Sequence, residues 1–344
     1  MSKLNVCVIY GGNSSEHDVS VISAGNIIKN MDTDLYNVYK IFITKEGEWQ
    51  YEGKSAIISP DSTKKAVIVF DKDTYEEIKI DVVFIALHGK NGEDGTVQGL
   101  LELAEIPYTG CNVLSSALCM DKAMAKFIFD AHGIPQVDWV LLTPSCTDEE
   151  IVSKVNEKFT YPVFVKPSNA GSSFGTAKVK GQSDLVSAVR EAFKYDSKVL
   201  VEAFINAREI ECAVMGNESP KGAKLGEIVV KSNDFYDFDA KYKGGGCDLL
   251  VPAPVDEETE KKIREYAIKA YKAADCQGFS RVDFFMSKDN GKIYLNEINT
   301  IPGFTGGSLF PITWEATGST VKQTITNLIN LALKRGKKLW TKDQ

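Results

Sequence analysis

The chain has 344 residues, enough for two or three domains rather than a single core. A net charge of −7 without a long basic run argues against a nucleic-acid partner, and no apolar run reaches the roughly 18 residues of a membrane span. The seven cysteines lack CxxC or close Cys/His spacing, and the start, Met1-Ser2-Lys3-Leu4-Asn5, enters a strand without a signal-peptide pattern, so the expectation is a cytoplasmic protein with reduced thiols and no structural zinc.

Residues 4–10 read as a short apolar strand ending in the turn Gly11-Gly12-Asn13-Ser14-Ser15. Ser15 and Asp18 make a loose capping box, and Val19, Ile22 and Ile27 follow at roughly helical spacing. Val38–Thr44 is a second strand. Val82–Leu87 is a third, apolar throughout and therefore expected to be buried and parallel. It runs into the glycine-rich stretch from His88 to Gly95 and a helix over Thr96–Ala104. Strands alternating with helices predict a parallel α/β domain that binds ligands at its strand ends, where Glu16 and His88 fall. Glu16 could hold an ammonium and His88 could orient it, although either alone reads as an ordinary polar residue.

A break follows near residue 120. Asp121–His132 reads as a helix closed by Gly133 with Pro135 beyond. Strands at Val140–Leu142 and Val163–Lys166 flank a helix over Asp148–Phe159. A strand at Thr176–Val179, a helix at Leu185–Phe193 and a strand at Val199–Phe204 complete an α+β unit. Lys166 ends an apolar strand and precedes Gly171-Ser172-Ser173-Phe174-Gly175, a loop whose N–H groups could cradle phosphates. It lacks the GxxxxGK[ST] spacing of a P-loop, and a plain hairpin turn is the competing reading. Glu202 on a strand edge suits an adenine amino group and Glu209 suits ribose hydroxyls; surface carboxylates would look the same.

From residue 207 onward, strands are expected at Glu209–Val214 and Leu225–Val230. The turn-rich stretch from Ser232 to Pro254 holds Gly244-Gly245-Gly246, and an irregular loop of that length is usually functional or mobile. A helix over Glu257–Ala274 precedes a β-hairpin. Its first arm, Arg281-Val282-Asp283-Phe284-Phe285, alternates polar and apolar residues, and its turn carries Asn290-Gly291. In its second arm Glu297 and Asn299 stand two apart and share a face. With Asp283 opposite, two carboxylates and an amide present only oxygens to a ligand, a donor set for a hard cation such as magnesium completed by water and phosphate. Arg281 adds a fixed positive charge on the same face. The pattern is loose, and a solvated hairpin face would satisfy it. Thr320–Leu333 closes the chain as an amphipathic helix with Val321, Ile325, Leu328 and Ala332 on one stripe.

Taken together, the motifs resemble the D-alanine–D-alanine ligase family of the ATP-grasp superfamily, along essentially the whole chain. They are Gly11 to Ser20, Ala86 to Gly99, Tyr108-Thr109-Gly110-Cys111, Met120-Asp121-Lys122, Val165 to Gly175, Phe235 to Tyr242, and Asn296 to Thr305. The resemblance implies an α/β (α+β) fold of three domains: 1–120 with the first D-alanine site, 121–206 as the central nucleotide-covering subdomain, and 207–344 with the metal and second-substrate sites. It implies ATP-driven joining of two D-alanines through an acyl phosphate, for peptidoglycan precursors.

By the same resemblance, Asp283, Glu297 and Asn299 hold two magnesium ions, with manganese as an alternative. Lys122, Lys166 and Lys241 face the phosphates, and Ser173, Glu202, Ile205 and Glu209 complete the ATP set. Arg281 and the Gly303 N–H stabilise the oxyanion. Glu16, Ser172 and Tyr242 link the first helix, the glycine loop and a lid over 232–254. Val19 and His88 line the first D-alanine subsite, Ser308 and Leu309 the second. The expected partners are small molecules only, with no membrane or nucleic acid, a homodimer in solution and a monovalent cation as an activator seen in relatives. Tyr242 argues against D-lactate as acceptor. Gly306-Gly307 before Ser308, and the closeness of Gly171–Gly175 to resistance-type relatives, leave D-serine as the alternative acceptor.

Overall fold

The computed structural model describes residues 2–169, 171, 175–230 and 246–336. Leu4–Gly11 (β1) is the inner strand of the first sheet. After Glu16 the chain enters a helix, His17–Asn30 (α1), and then Tyr36–Ile43 (β2), which pairs in parallel with β1. The expected Ser15/Asp18 capping box does not form: Glu16 takes the N-cap position without a side-chain cap bond. The buried stripe of α1 is Ser20, Ser23, Ala24 and Ile27, while Ile22 is 59% exposed. Small residues seat the helix closely on the sheet. The Ser20 hydroxyl is satisfied there, donating to the Ala86 carbonyl at 2.6 Å and accepting from the Gly11 N–H at 2.8 Å.

Four strands absent from the sequence reading then extend the sheet antiparallel beyond β2: Trp49–Tyr51 (β3), Lys54–Ile58 (β4), Ala66–Asp71 (β5) and Thr74–Lys79 (β6). They are short, and β6 exposes every residue but Ile78, so no apolar run marks it. Val82–Ile85 (β7) returns to the other side of β1 in parallel and is buried along its length, as expected of an apolar inner strand. The sheet order is β6-β5-β4-β3-β2-β1-β7. Thr96–Leu103 (α2) and Val113–Met120 (α3) follow.

Lys122–Ala131 (α4) starts on Asp121, whose side chain accepts from the Met124 N–H. The second sheet is wholly antiparallel in the order β10-β9-β11-β8: Trp139–Leu142 (β8), Val163–Pro167 (β9), Ala177–Val179 (β10) and Val199–Ala203 (β11). Two helices, Asp148–Asn156 (α5), opened by a Thr147/Glu150 capping box, and Gln182–Ala192 (α6), cover one face. Val155, Val165, Leu185, Val189 and Val201 form part of a core belonging to this unit alone.

The third sheet is antiparallel in the order β14-β13-β12-β15-β16: Ala207–Met215 (β12), Lys221–Val230 (β13), Cys247–Leu250 (β14), Phe279–Ser287 (β15) and Ile293–Asn299 (β16). The stretch expected to be irregular over 232–254 therefore contains a strand, β14, which finds a partner on β13. The helix Glu257–Ala273 packs its Ile263, Ala267, Ala270 and Tyr271 against this sheet. A further helix, Leu309–Ala316, escapes a sequence reading because Pro311 looks like a breaker. It lies in the first turn, where the missing N–H costs nothing. The closing helix, Val321–Gly336, sends Ile325, Leu328 and Ala332 into the core of the first sheet, so the first and last parts of the chain share one apolar interior. Among the described residues no helix is long and apolar enough to cross a membrane.

Candidate active site

The hairpin of β15 and β16 forms in the expected register, with Asp283 opposite Glu297 and Arg281 opposite Asn299. Gly291 in its turn takes a left-handed φ of +69°. The register shifts between Asp283 and Phe284, so Asn296 is the extra residue of a bulge. Val282, Phe284, Leu295 and Ile298 face the core, and the polar set faces a cleft of about 1340 Å³. Arg281 donates from Nε and Nη2 to the two oxygens of Asp283 at 2.8 and 2.7 Å, and Asn299 donates its amide N–H to Asp283 Oδ2 at 2.8 Å. Glu211 on β12 brings Oε2 to 2.8 Å from Arg281 Nε. Burial disfavours the charge on Arg281, but Asp283 and Glu211 outweigh it and hold the guanidinium firmly protonated.

Lys122, one residue into α4, lies with Nζ 3.3 Å from Glu297 Oε2. Its neighbourhood is fixed by Ser168, whose carbonyl accepts from the Lys122 N–H and whose hydroxyl donates to Asp121 at 2.6 Å. Lys166 on β9 is 2.8 Å from Glu202 Oε2, and Lys126, one turn along α4 from Lys122, is 2.8 Å from Glu202 Oε1. Burial pushes the Glu202 carboxyl up, yet the two ammoniums outweigh it and hold the value at about 2. Lys166 moves down, because burial and the charges of Lys126 and Lys122 outweigh its share of Glu202. One anion thus serves two cations. The sequence reading did not single out Lys126 or Glu211. Same-face spacing with Glu209 was the available signal for Glu211. Lys126 had none, since its 1% exposure arises only in the fold, where its ammonium meets Glu202 of β11.

Glu202, Ala203 and Ile205 line the same cleft at the junction between β11 and β12, and Glu209 lies a few residues further along. The Lys178 ammonium sits 3.8 Å from the centroid of the Phe204 ring.

From the first sheet, Glu16, Val19 and His88 border the cleft. A Cβ on Gly89 would meet Glu16 Oε2 at 2.7 Å, and one on Gly171 would meet Glu16 Oε1 at 3.9 Å, so Glu16 packs where two glycines leave space. His88 is buried. Its Nδ1 donates to the Ile301 carbonyl at 2.9 Å, and its Nε2 is 2.9 Å from Ser23 Oγ, which also accepts from the Phe304 N–H at 3.1 Å. Burial opposes the charged imidazole, but Glu93, Glu16 and the Ile301 carbonyl raise its pKa above the ordinary value. Gly303, between these anchors, has its Cα beside Ser308, where a Cβ would lie 2.9 Å from Oγ. The Ser308 hydroxyl turns back to accept from the Thr305 N–H at 3.0 Å. Leu309 is 5% exposed and its methyls rest on Gly226 of β13, where a Cβ would meet Cδ2 at 2.6 Å.

Ser172, Ser173, Lys241 and Tyr242, and with them most of the expected lid, lie outside the described residues. Among the described residues no group of three or more His, Cys, Asp or Glu side chains could hold a metal by itself. Two carboxylates and an amide, all oxygen donors on one face of a register-locked hairpin, fit a hard divalent ion that keeps substrate oxygens and water in its shell.

Residues 5–111 match the family described as D-ala D-ala ligase N-terminus, and residues 128–330 the family described as D-ala D-ala ligase C-terminus. The D-alanine–D-alanine ligase of Acetivibrio thermocellus is 48% identical, over 97% of this chain and 96% of that protein. The same enzyme from Thermoanaerobacter sp. strain X514 is 48% identical, over 97% of both. Among solved structures, the VanG D-Ala:D-Ser ligase from Enterococcus faecalis superposes with a TM-score of 0.88 at 39% identity, over 96% of this chain and 100% of that one. The D-alanine–D-alanine ligase from Coxiella burnetii gives 0.84 at 37%, over 98% and 96%. With a three-domain ATP-grasp fold and matches over nearly its full length, the chain belongs to the D-alanine–D-alanine ligase family and is an enzyme of that class, using ATP and a divalent metal.

Proposed function

We propose that this enzyme joins two D-alanines into D-alanyl-D-alanine for peptidoglycan precursors, through an acyl phosphate, in the cytoplasm and as a homodimer. The observation that carries the reading is the register of β15 and β16, which sets Arg281, Glu297 and Asn299 on the cleft wall with Asp283 held between Arg281 and Asn299 beside them. Three lobes, 1–120, 121–206 and 207–344, contribute to that cleft. The first D-alanine sits by Glu16, Val19 and His88, with Glu16 taking its ammonium. Its carboxylate oxygen attacks the γ-phosphorus of ATP, forming an O–P bond as ADP leaves. The amine of the second D-alanine then attacks the acyl carbon. The C–O bond to phosphate breaks, and the nitrogen loses its proton.

Each step sets charge against charge, and the chain meets it with fixed cations. Lys122 and Lys166 lie along the phosphates, and Glu202, Ile205 and Glu209 seat the nucleoside. Arg281 and the Gly303 N–H face the oxyanion of the tetrahedral intermediate. Asp283, Glu297 and Asn299 would hold two magnesium ions, which supply neutralisation between the approaching anions. Ser308 and Leu309 border the acceptor. Leu309 offers an acceptor only apolar surface, and a buried hydroxyl without a partner costs about 1–3 kcal/mol, which favours D-alanine over D-serine.

D-serine is the second reading, favoured by the 0.88 TM-score to a D-Ala:D-Ser ligase. The test is phosphate release with D-alanine alone, and then with equimolar D-alanine and D-serine or D-lactate, with products identified by mass. Mostly D-alanyl-D-alanine is expected, and Leu309→Arg should move the mixture toward polar acceptors. A wild-type product dominated by D-alanyl-D-serine would replace the first reading with the second.

A further inference from the structure

The geometry points to Glu211 as the positioning residue that holds Arg281 on the oxyanion while Asp283 is engaged by the metal. This rests on the oxyanion role proposed for Arg281. Glu211 stands on β12 directly opposite Asp283, and its side chain is 7% exposed. The residue opposite Arg281 is Ala213, small enough to leave the guanidinium room to reach diagonally to Glu211. Arg281 thus lies between two carboxylates: Asp283, which takes both Nε and Nη2, and Glu211, with Oε2 2.8 Å from Nε.

These two carboxylates are not equivalent. Asp283 faces Glu297 across the hairpin and carries the oxygens assigned to the cation. An oxygen shared with a divalent ion holds a guanidinium less tightly, since the same lone pairs and charge serve both. Glu211 lies one strand further from Glu297 and is outside that set. Placing a third buried carboxylate beside Asp283 and Glu297 is unfavourable unless a cation is fixed there. Ile210 and Cys212, its chain neighbours, point into the core, so Glu211 cannot leave the cleft face without shifting the register of β12. A buried ion pair from this side favours the guanidinium orientation that both carboxylates share, even when Asp283 is drawn toward a cation.

The consequence belongs to the second half-reaction. A mobile Arg281 would still allow the first D-alanine to be phosphorylated, but the acyl phosphate would wait longer for the amine and lose more to water. Glu211→Gln keeps size and shape and removes the charge. The experiment measures ADP and dipeptide in the same reaction at saturating ATP and metal. Dipeptide turnover is expected to fall roughly ten- to a hundredfold, the scale of losing one charged contact that positions a group at the reacting centre. ADP should exceed dipeptide, while the KM for ATP stays within about twofold. Turnover within about threefold of wild type, or ADP and dipeptide falling together in equal amounts, overturns the proposal.

A cycle with Arg281→Lys separates the two assignments. If Glu211 acts through Arg281, Glu211→Gln has little further effect in the Arg281→Lys background; fully multiplicative losses contradict it. If Arg281→Lys alone retains wild-type turnover, the oxyanion assignment itself fails, whatever Glu211 does. Glu211→Asp keeps the charge and should recover part of the coupling. If Glu211→Gln does not fold, Glu211→Met, similar in length and without charge, decides between the outcomes: ADP in excess supports the proposal, and wild-type coupling with normal turnover overturns it.

Discussion

Lys126 is a lysine with 1% exposure whose ammonium meets Glu202 on the side opposite Lys166. Removing it leaves Glu202 with one cation instead of two in a low-dielectric setting. Lys126→Met should therefore reduce the unfolding free energy, by up to the roughly 3–5 kcal/mol of a broken buried pair and by less to the extent that Lys166 still compensates. It should also weaken ATP binding measured by calorimetry, because Lys166 is aimed through Glu202. Unchanged stability and affinity would make Lys126 simple filling.

The same carboxylate gives a pH dependence with a definite sign. Glu202 is held at about 2 in the folded protein against an ordinary 4.5. Between those values the unfolded chain takes up a proton that the folded one refuses, so stability is fully present above about pH 4.5 and is lost as the pH falls toward 2. Urea unfolding followed from pH 5 to 2.5 should show a shallower decline in Glu202→Gln than in the wild type. Parallel declines would contradict the paired-carboxylate account.

At the scale of elements, the loop from Ile301 to Phe304 is set by the first lobe rather than by its own strand. Ser23 Oγ accepts from the Phe304 N–H, Asn26 donates to the Phe304 carbonyl at 2.9 Å, and His88 donates to the Ile301 carbonyl. Gly303 is suspended between these anchors. Ser23→Ala removes one of them and leaves the Phe304 N–H without its acceptor, a loss of about 1–3 kcal/mol. Steady-state kinetics should show kcat falling roughly tenfold with little change in the KM for ATP; an unaltered kcat would show that the loop holds itself.

The hairpin that carries the proposed metal set was legible in the sequence because period-two alternation and Asn290-Gly291 fix its faces and its turn. The anchors of the 301–304 loop were not, since Ser23 and Asn26 are about 280 residues away in the chain and their partners are backbone atoms. Nor was β14, which has four residues and takes its strand character from pairing with β13. The bulge at Asn296 left only a small trace, the three-residue step from Leu295 to Ile298 on the apolar face, and its pairing shows in the register.

Taken whole, the molecule divides unequally. The first and third sheets share an interior through Phe279, Phe304, Phe310 and the closing helix, while the second sheet keeps its own core. Few apolar ties would have to break for the central lobe to move over the nucleotide proposed for the 203–207 junction, a useful property if the proposed acyl phosphate is to be kept from water. The net charge of −7 disfavours an anionic substrate at long range. Lys122, Lys166 and Arg281 nevertheless place fixed positive charge inside the cleft, each held against a carboxylate, where low dielectric makes it count for more. The central claim is that one D-alanine carboxylate becomes an acyl phosphate before the peptide bond forms, and oxygen labelling tests it directly. D-alanine carrying ¹⁸O in its carboxylate is turned over with unlabelled ATP, and the released phosphate is weighed. Because the attacking oxygen leaves with phosphorus when the C–O bond breaks, each phosphate should carry one labelled oxygen; phosphate without label would contradict the account.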